Sequence, residues 1–507
     1  MIPRTVAEIA AAIGCASPPT GAQITVTSVE FDTRRVRPGA LFVALTGKRV
    51  DGHDFVAAAA AAGAVAVLGS RDLPAGSLPI LRMPDDTAVL QALSKIAGAS
   101  VAVLIERGLT VIGVTGSAGK TSTKDLISAV LRAGFGPEQV VAPPESFNNE
   151  LGHPYTVLRA DDRTRFLVLE LSARGQGHIA ELAATAPPRI GAVLNVGSAH
   201  LGEFGSVAAI ARAKGELVEA LPTAAAGGIA LLNADDPLVS AMSSRTSAAV
   251  VSVGTAAHAV VRAIDVRTDA AARARFTLVT PEGSAPVSLS IVGAHQLSNA
   301  LMAAAVGRAV GMPVAEVATA LSSSAGSSKW RMELTERADG VTVINDSYNA
   351  NPESMKAALQ ALAVIGEHRR TWAVLGEMAE LGELARASHD EIGRLVVRLG
   401  VDRLVVVGQA ARALHLGAHL EGSWGGESEI VADVTEAVTV LERELEPGDV
   451  VLVKASRSVG LDRVATALLE RGDTRDCGPA PGRVERAPGE PPSESTGSEP
   501  INEQERS

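Results

Sequence analysis

The stretch VIGVTGSAGKTSTKDLI, Val111 to Ile127, decides the fold. An apolar run ending at Val114 or Thr115 leads into a loop of small residues. A helix follows, with Leu126, Ile127, Val130 and Leu131 on one face and Gly134 available to close it. A strand that passes through such a loop into a helix gathers backbone N–H groups and a positive helix end around one point. Polyphosphate is the natural occupant. In that setting Lys120 would bridge terminal phosphates and Thr121 would ligate Mg²⁺. The spacing is unusual, because the common signature has a glycine five residues before its Gly-Lys-Ser/Thr. That position is Val114 here, and the nearby glycines are Gly113 and Gly116.

Outward from this loop the strand-then-helix rhythm continues. RFLVLEL and RIGAVLNV are continuous apolar runs of the kind buried on both faces of a parallel sheet. The expected fold class is α/β in three domains. The first, residues 1–86, is a small mixed α/β domain containing GALFVAL and an alanine-rich helix after His53; its opening MIPRTVAEIAAAIG carries the capping-box pair Thr5 and Glu8. The second, 87–332, is a parallel-sheet P-loop domain interrupted by VRAIDV, RFTLVT and APVSLSIVG, a small antiparallel insert. The third, 333–471, repeats VTVIND, RTWAVLGEM, VDRLVVVG and DVVLVKAS, each followed by helical sequence, as a Rossmann-like α/β unit. The remainder, 472–507, is rich in Pro, Gly, Glu and Ser and is expected to be disordered.

The chain of 507 residues is long enough for about three domains. A formal net charge of −11 and 3% aromatic residues argue against nucleic-acid binding, which needs basic patches and stacking platforms. Two distant cysteines, Cys15 and Cys477, make a disulfide framework unexpected. The most apolar run, from Val56, is too short and alanine-rich to span a bilayer. A cytoplasmic protein without membrane insertion is the expectation.

Two strands should end on the edge that carries the loop, one offering Glu170 in LELSA and the other His200 in NVGSAHLGEFGS. A carboxylate and an imidazole near phosphates suit a divalent ion or a transferring phosphoryl group, though each taken singly could be an ion-pair partner or an exposed loop residue. Lys214 lies on an amphipathic helix, and its spacing alone suggests a solvated lysine. His295 and Asn299 are four apart and share a helix face, as a polar cap or as a pair reading a nucleobase.

Together these stretches resemble the Mur ligases, ATP-dependent amide-forming enzymes of peptidoglycan precursor synthesis. Their loop pattern T-G-S/T-x-G-K-T fits TGSAGKT, Thr115 to Thr121, which accounts for the displaced glycine. The resemblance runs from SVEFDTRRVRPGALFVAL to VLVKASRSVGLDRV. Within the family, ESFNNELGHP, AKGEL, GAHQLSNAL, SKWRMEL and INDSYNANPESMKAAL look most like the branch that adds D-alanyl-D-alanine to UDP-N-acetylmuramoyl-tripeptide; the D-N-P-R motif of the sister branch is absent. One departure is ELSARGQGHI, where many members read E-M-G-A-N-H-x-G-E-I.

The resemblance implies ATP and Mg²⁺, with two ions expected. Thr115, Gly116, Ser117, Ala118, Gly119, Lys120, Thr121 and Ser122 would hold the nucleotide with His295 and Asn299 at the adenine, Arg331 at the γ-phosphate, and Asp346, Asn349 and Asn351 reaching in from the third domain. Thr121, Glu170, His200 and a carbamylated Lys214 would form the metal site. Lys120, His200, Lys214 and Arg331 would be catalytic. Asp32, Thr33 and Arg34 match the region that contacts the UDP end of the sugar nucleotide. The implied partners are UDP-N-acetylmuramoyl-tripeptide and D-alanyl-D-alanine, the implied product the pentapeptide precursor with ADP, and a monomer is expected. Another ligase of the superfamily, such as one forming the tripeptide or resembling folylpolyglutamate synthetase, would share the loop but lack SYNANP. A non-catalytic P-loop switch would turn over ATP without any peptide acceptor.

Overall fold

Nine strands form the central sheet, in the spatial order Val140–Val141, Phe166–Glu170, Thr110–Thr115, Ile190–Val193, Ile229–Asn233, Ala249–Gly254, Val261–Thr268, Arg273–Thr280 and Gly283–Val292. The structure is a computed structural model. It describes residues 1–470 except 48, 49, 75, 76, 145, 146, 198–200, 327, 423 and 425, and also the backbone of Thr474–Asp476. The first seven strands are parallel. Their side chains alternate between two cores, as a strand covered on both faces requires. Ile112, Val114, Phe166 and Val168 pack against the helices Lys120–Phe135 and Gln296–Ala309. Val111, Leu167 and Leu169 face the opposite core, with the helix Asp86–Glu106.

The expected small antiparallel insert is present. Arg273–Thr280 and Gly283–Val292 form a hairpin around Pro281 and Glu282, and Arg273–Thr280 also pairs antiparallel with Val261–Thr268. The insert is joined to the main sheet, because Val261–Thr268 pairs in parallel with Ala249–Gly254 through Val253 and Gly254.

The C-terminal sheet runs Ser428–Val431, Arg403–Val407, Thr371–Leu375, Val450–Lys454, Thr342–Asn345, all parallel, and then Glu333–Arg337 antiparallel. Its outer neighbour is Thr474–Asp476. Disorder expected from residue 472 is thereby corrected for these three residues, which satisfy the open edge of Glu333–Arg337; residues 477–507 lie outside the described residues. Truncation after Arg471 is expected to lower the melting temperature by no more than roughly 2–4 °C, as losing about 1 kcal/mol of edge pairing would, with turnover unchanged. A fall above roughly 10 °C in a thermal melt would show that more of the segment docks on the body.

In the first domain Thr5 caps the helix Val6–Ile13 with Glu8, and Gly14 closes it at φ 75°. Four parallel strands, Ser28–Glu30, Ala40–Val43, Ala64–Gly69 and Ile80–Arg82, complete it. The helix Asp86–Glu106 is long and apolar enough to cross a membrane, yet Val89, Leu93 and Ile96 share one core with Ile9 and Leu41 of the first domain and Leu167 of the central sheet. The border between the two domains therefore runs along this helix rather than ahead of it. A second joint is aromatic: Phe31 stacks edge-on against Phe147 and Tyr155, and the Tyr155 hydroxyl donates to Glu30 at 3.1 Å.

His153, in the short helix Gly152–Val157, is fully buried, with the Leu182 backbone as the polar group nearest to act on its ring. Burial lowers its pKa from the usual 6.5 to about 4. The unfolded chain takes up this proton below pH 6.5 and the folded chain only near 4, so the folded state loses stability as pH falls through that window, by up to about 3 kcal/mol. Denaturant melts at pH 7 and 5 should show His153→Leu losing less stability on acidification than the parent. Equal losses would place the acid sensitivity elsewhere.

Candidate active site

The strand Thr110–Thr115 is flanked by Phe166–Glu170 and Ile190–Val193, and the register sets Val114 beside Glu170 and Thr115 beside Val193. Segments leaving all three strands emerge at one sheet edge, where open α/β folds bind ligands. Between that edge and the C-terminal domain lies a cleft of about 740 Å³, large enough for a nucleotide. Ser117 to Ser122, Glu170, His295, Arg331, Asp346, Asn349 and Asn351 line it.

The phosphate loop is built from both sides. The Thr115 hydroxyl donates to the Leu171 carbonyl at 2.8 Å, a strut inside the sheet rather than a group facing the cleft. Asn195 grips Ala118, accepting its N–H at 2.9 Å and donating to its carbonyl at 3.1 Å. Gly119 at φ 82° begins the helix Lys120–Phe135 with no side-chain cap, so the first-turn N–H groups stay available to an anion. Behind it sits Asn299, which is buried; it accepts from the Thr123 hydroxyl at 3.1 Å and donates to Gln296 at 2.8 Å. Asn299 thus supports the loop from beneath, directly behind Gly119. Its helix begins at Gln296, leaving His295 at the cap position on the cleft wall.

A Cβ added at Gly119 would lie 2.5 Å from Asn299 Oδ1, which its own hydrogen bonds keep from moving. Positive φ adds a penalty of about 1–2 kcal/mol for any L side chain. Gly119→Ala is expected to weaken ADP binding by roughly 10-fold or more in a calorimetric titration. Unchanged affinity would mean that the loop's shape does not matter for the nucleotide.

Lys120 Nζ donates to the Gly116 carbonyl at 2.6 Å across the loop. Burial lowers its pKa from 10.5 to about 8, with Arg331 adding repulsion and Glu170 opposing. Glu170 is buried; one oxygen accepts from the Thr121 hydroxyl at 3.2 Å and the other, Oε1, has no partner among the described residues. Burial raises its pKa, while Lys124, Arg331 and Lys120 pull the other way. An orphaned carboxylate oxygen beside a hydroxyl is the hard oxygen donor set that Mg²⁺ takes, the remaining positions coming from phosphates and water. Among the described residues no three His, Cys, Asp or Glu side chains cluster as ligands, and His200 lies outside the described residues.

Arg331 is turned into the cleft by strained backbone: Trp330 and Met332 on either side have φ 59° and 51°. Its Nη2 lies 3.1 Å from the Thr121 hydroxyl, and its guanidinium stacks 4.2 Å over the Tyr348 ring. From the C-terminal domain, Asp346 accepts from Lys454 Nζ at 2.6 Å and from the Met332 N–H at 3.2 Å, and Lys454 also donates to the Asn349 carbonyl at 2.8 Å. Asn351 caps the helix Pro352–Ile365 and reaches the Ser117 carbonyl at 3.5 Å. These contacts tie the two walls together.

Lys214 lies behind the cleft wall, in the helix Val207–Glu219, 5% exposed and with no hydrogen bond or ion pair to a described residue. Burial and then the charge of Lys120 lower its pKa well below the ordinary value. The solvated lysine suggested by its spacing is therefore corrected: the residue is buried. Asp32, Thr33 and Arg34 do not reach the cleft. They form a turn of the first domain in which Asp32 accepts from Arg34 Nη2 at 2.7 Å, and the Arg34 side chain is 86% exposed. Lys454, Tyr348, Asn195 and Arg174 line the cleft or shape it without having been singled out in the sequence. Lys454 ends the strand in VLVKAS, the one signal that could have drawn attention to it.

Three family models match the chain: "Mur ligase family, catalytic domain" over residues 25–99, "Mur ligase middle domain" over 114–307 and "Mur ligase, glutamate ligase domain" over 330–457. The UDP-N-acetylmuramoyl-tripeptide–D-alanyl-D-alanine ligase of Mycobacterium leprae is 52% identical, over 94% of this chain and 100% of that protein. The ligase of the same description from Mycobacterium tuberculosis H37Rv is 53% identical over 92% and 98%. Among solved structures, MurF from Acinetobacter baumannii superposes with a TM-score of 0.78 at 28% identity, covering 92% of this chain and 99% of that one. MurF from Thermotoga maritima in complex with ADP gives 0.71 at 29%, covering 88% and 99%.

Proposed function

The chain belongs to the Mur ligase family, and from that membership and the geometry of its cleft we propose how its residues divide the work of an ADP-forming ligase. The reaction joins D-alanyl-D-alanine to UDP-N-acetylmuramoyl-tripeptide with ATP. A carboxylate is too poor an electrophile for an amine. The terminal carboxylate of the tripeptide therefore attacks the γ-phosphorus of ATP, ADP leaves, and an acyl phosphate forms. The neutral amine of D-alanyl-D-alanine adds to its carbonyl carbon, and the tetrahedral intermediate expels phosphate and yields the amide.

The backbone from Ser117 to Ser122 cradles the β- and γ-phosphates. Lys120 and Arg331 neutralise charge on the transferring phosphoryl group and on the tetrahedral oxyanion. Lys120 leaves the Gly116 carbonyl for phosphate, which restores its full charge. ATP binding thus takes up a proton above pH 8, and affinity weakens as pH rises past that point. His295, kept neutral by burial, lies at the nucleotide from the central domain, and Asp346, Asn349 and Asn351 close over it from the third. Closure keeps water from the acyl phosphate.

Thr121 and Glu170 would hold Mg²⁺, which supplies charge neutralisation on the phosphates when bound, and His200 occupies the corresponding family position. Lys214 serves as a carbamate: only a neutral amine adds to CO₂, and burial beside Lys120 favours that form. The exposed Asp32–Arg34 turn meets the UDP end of the substrate. The protein works in the cytoplasm as a monomer, a reading compatible with one chain supplying both walls of the cleft.

The observation that carries this reading is the meeting of Lys120, Glu170 and Arg331 around the helix start at Thr121. Phosphate release should require ATP, the UDP-linked tripeptide and D-alanyl-D-alanine together. Equal release with ATP alone would leave only an ATPase.

A further inference from the structure

Among the described residues, five lysine and arginine side chains line the cleft: Lys120, Arg174, Arg331, Lys454 and Arg457. Four are engaged within the protein. Lys120 holds the Gly116 carbonyl, Arg331 meets Thr121 and the Tyr348 ring, and Lys454 pairs with Asp346. Arg457 pairs with Asp462 at 3.0 Å and stacks on Trp330. The Arg174 guanidinium makes no hydrogen bond or ion pair with any described residue, although its backbone is firmly held. The Leu171 N–H donates to the Val114 carbonyl at 2.9 Å, the Arg174 N–H to His178 Nδ1 at 3.4 Å, and the Gly177 and Ala180 N–H groups to the two oxygens of Glu216 at 2.7 and 3.1 Å. A held backbone that presents an uncommitted planar fork to the cleft offers a carboxylate two parallel N–H donors.

Its place fits a substrate rather than the nucleotide. Arg174 follows Glu170 by four residues, so its Cα stands at most about 14 Å from that of Glu170, on the same cleft as Lys120 and Arg331, while an extended dipeptide spans roughly 7 Å. Glu380 lines the facing wall from the C-terminal domain, at a backbone φ of 64°, and the charges of Glu380, Arg174 and His178 all act on Glu203 at the same lip. A cation set among carboxylates complements a ligand that carries both an ammonium and a carboxylate.

Building on the ligase reading, we propose that Arg174 binds the free carboxylate at one end of a peptide substrate and sets that substrate's orientation toward the phosphate site. Two ends have this chemistry: the carboxyl terminus of D-alanyl-D-alanine, and the side chain of the tripeptide's third residue if that is a diaminopimelate. Steady-state kinetics of the parent and of Arg174→Gln separate them, with D-alanyl-D-alaninamide as the uncharged dipeptide and lysine- and diaminopimelate-terminated tripeptides as the other pair. A parent that does not ligate at all would remove the ligase reading itself, before Arg174 is tested. With an active parent, the expected result is a KM raised roughly 10- to 100-fold for one carboxylate-bearing substrate, the usual weight of a charge-assisted hydrogen bond, and an equal response of parent and variant to the partner lacking that carboxylate. A change confined to D-alanyl-D-alanine assigns the dipeptide terminus; one confined to the diaminopimelate tripeptide assigns the third residue. Arg174→Lys should recover part of the loss by keeping the charge. KM values within about threefold for every substrate, or a parallel rise that includes ATP, would overturn the proposal.

Discussion

Lys120→Ala is expected to lower ligation by roughly 1,000-fold or more while the far-ultraviolet circular dichroism and melting temperature stay within error of the parent. The ammonium has no acidic partner in a hydrogen bond; it donates to one backbone carbonyl and is otherwise desolvated, which is why its pKa has fallen to about 8. Removing it relieves a buried charge rather than opening a hydrophobic cavity, so the fold has little to lose. Catalysis has much to lose. The charge that moves from the carboxylate to the γ-phosphoryl group and then to the oxyanion passes through the space in front of this side chain, where a preorganised cation in a water-poor cleft contributes more than it would in solution. Retention of more than about a tenth of the parent turnover, with the variant folded, would remove Lys120 from the chemistry.

Lys214→Ala is expected to cost roughly 100-fold in turnover and to recover severalfold with added acetate at millimolar concentrations. A lysine that is 5% exposed, has no partner among the described residues and lies close enough to Lys120 to feel its charge is poorly placed as an ammonium. Carbamylation converts it into an anion with two oxygens, which is what a region lined by Lys120 and a divalent ion can hold. Alanine leaves a space that a small carboxylate can enter. Lys120→Ala serves as the control, since no anion replaces a missing cation, and acetate should not help it. Turnover near the parent's in the Lys214 variant without any acid would show that the buried amine has no part in the reaction.

Local sequence carries the phosphate loop because everything it needs is contiguous: the buried strand, small residues at 116–119, and Lys120 and Thr121 at a helix start. Glu170 was legible for a related reason, since a continuous apolar strand must end at the sheet edge, and parallel register then puts it beside Val114. Asn299 has a supporting contact that its spacing did not show. Its four-residue spacing from His295 describes one helix face, but the helix starts only at Gln296, and the space left by Gly119 decides what Asn299 touches. Lys454 and Asp346 are 108 positions apart, and nothing in either neighbourhood announces a buried pair. The continuity of the antiparallel strands with the main sheet rests on the pairing of Val253 and Gly254 with Val261 and Arg262, a tertiary choice that periodicity does not encode. Burial is the other quantity that sequence hid. The helix bearing Lys214 is amphipathic as read, but Lys214 itself is on the covered side.

The transfer of oxygen reports most directly on carboxylate activation by ATP. UDP-N-acetylmuramoyl-tripeptide labelled with ¹⁸O in its terminal carboxylate would be turned over with ATP, Mg²⁺ and D-alanyl-D-alanine, and the released phosphate analysed by mass spectrometry. Attack of the carboxylate on the γ-phosphorus followed by expulsion of phosphate from the tetrahedral intermediate places one labelled oxygen in each phosphate formed. Unlabelled phosphate accompanying amide formation would contradict the acyl phosphate and with it the roles given to Lys120, Glu170 and Arg331.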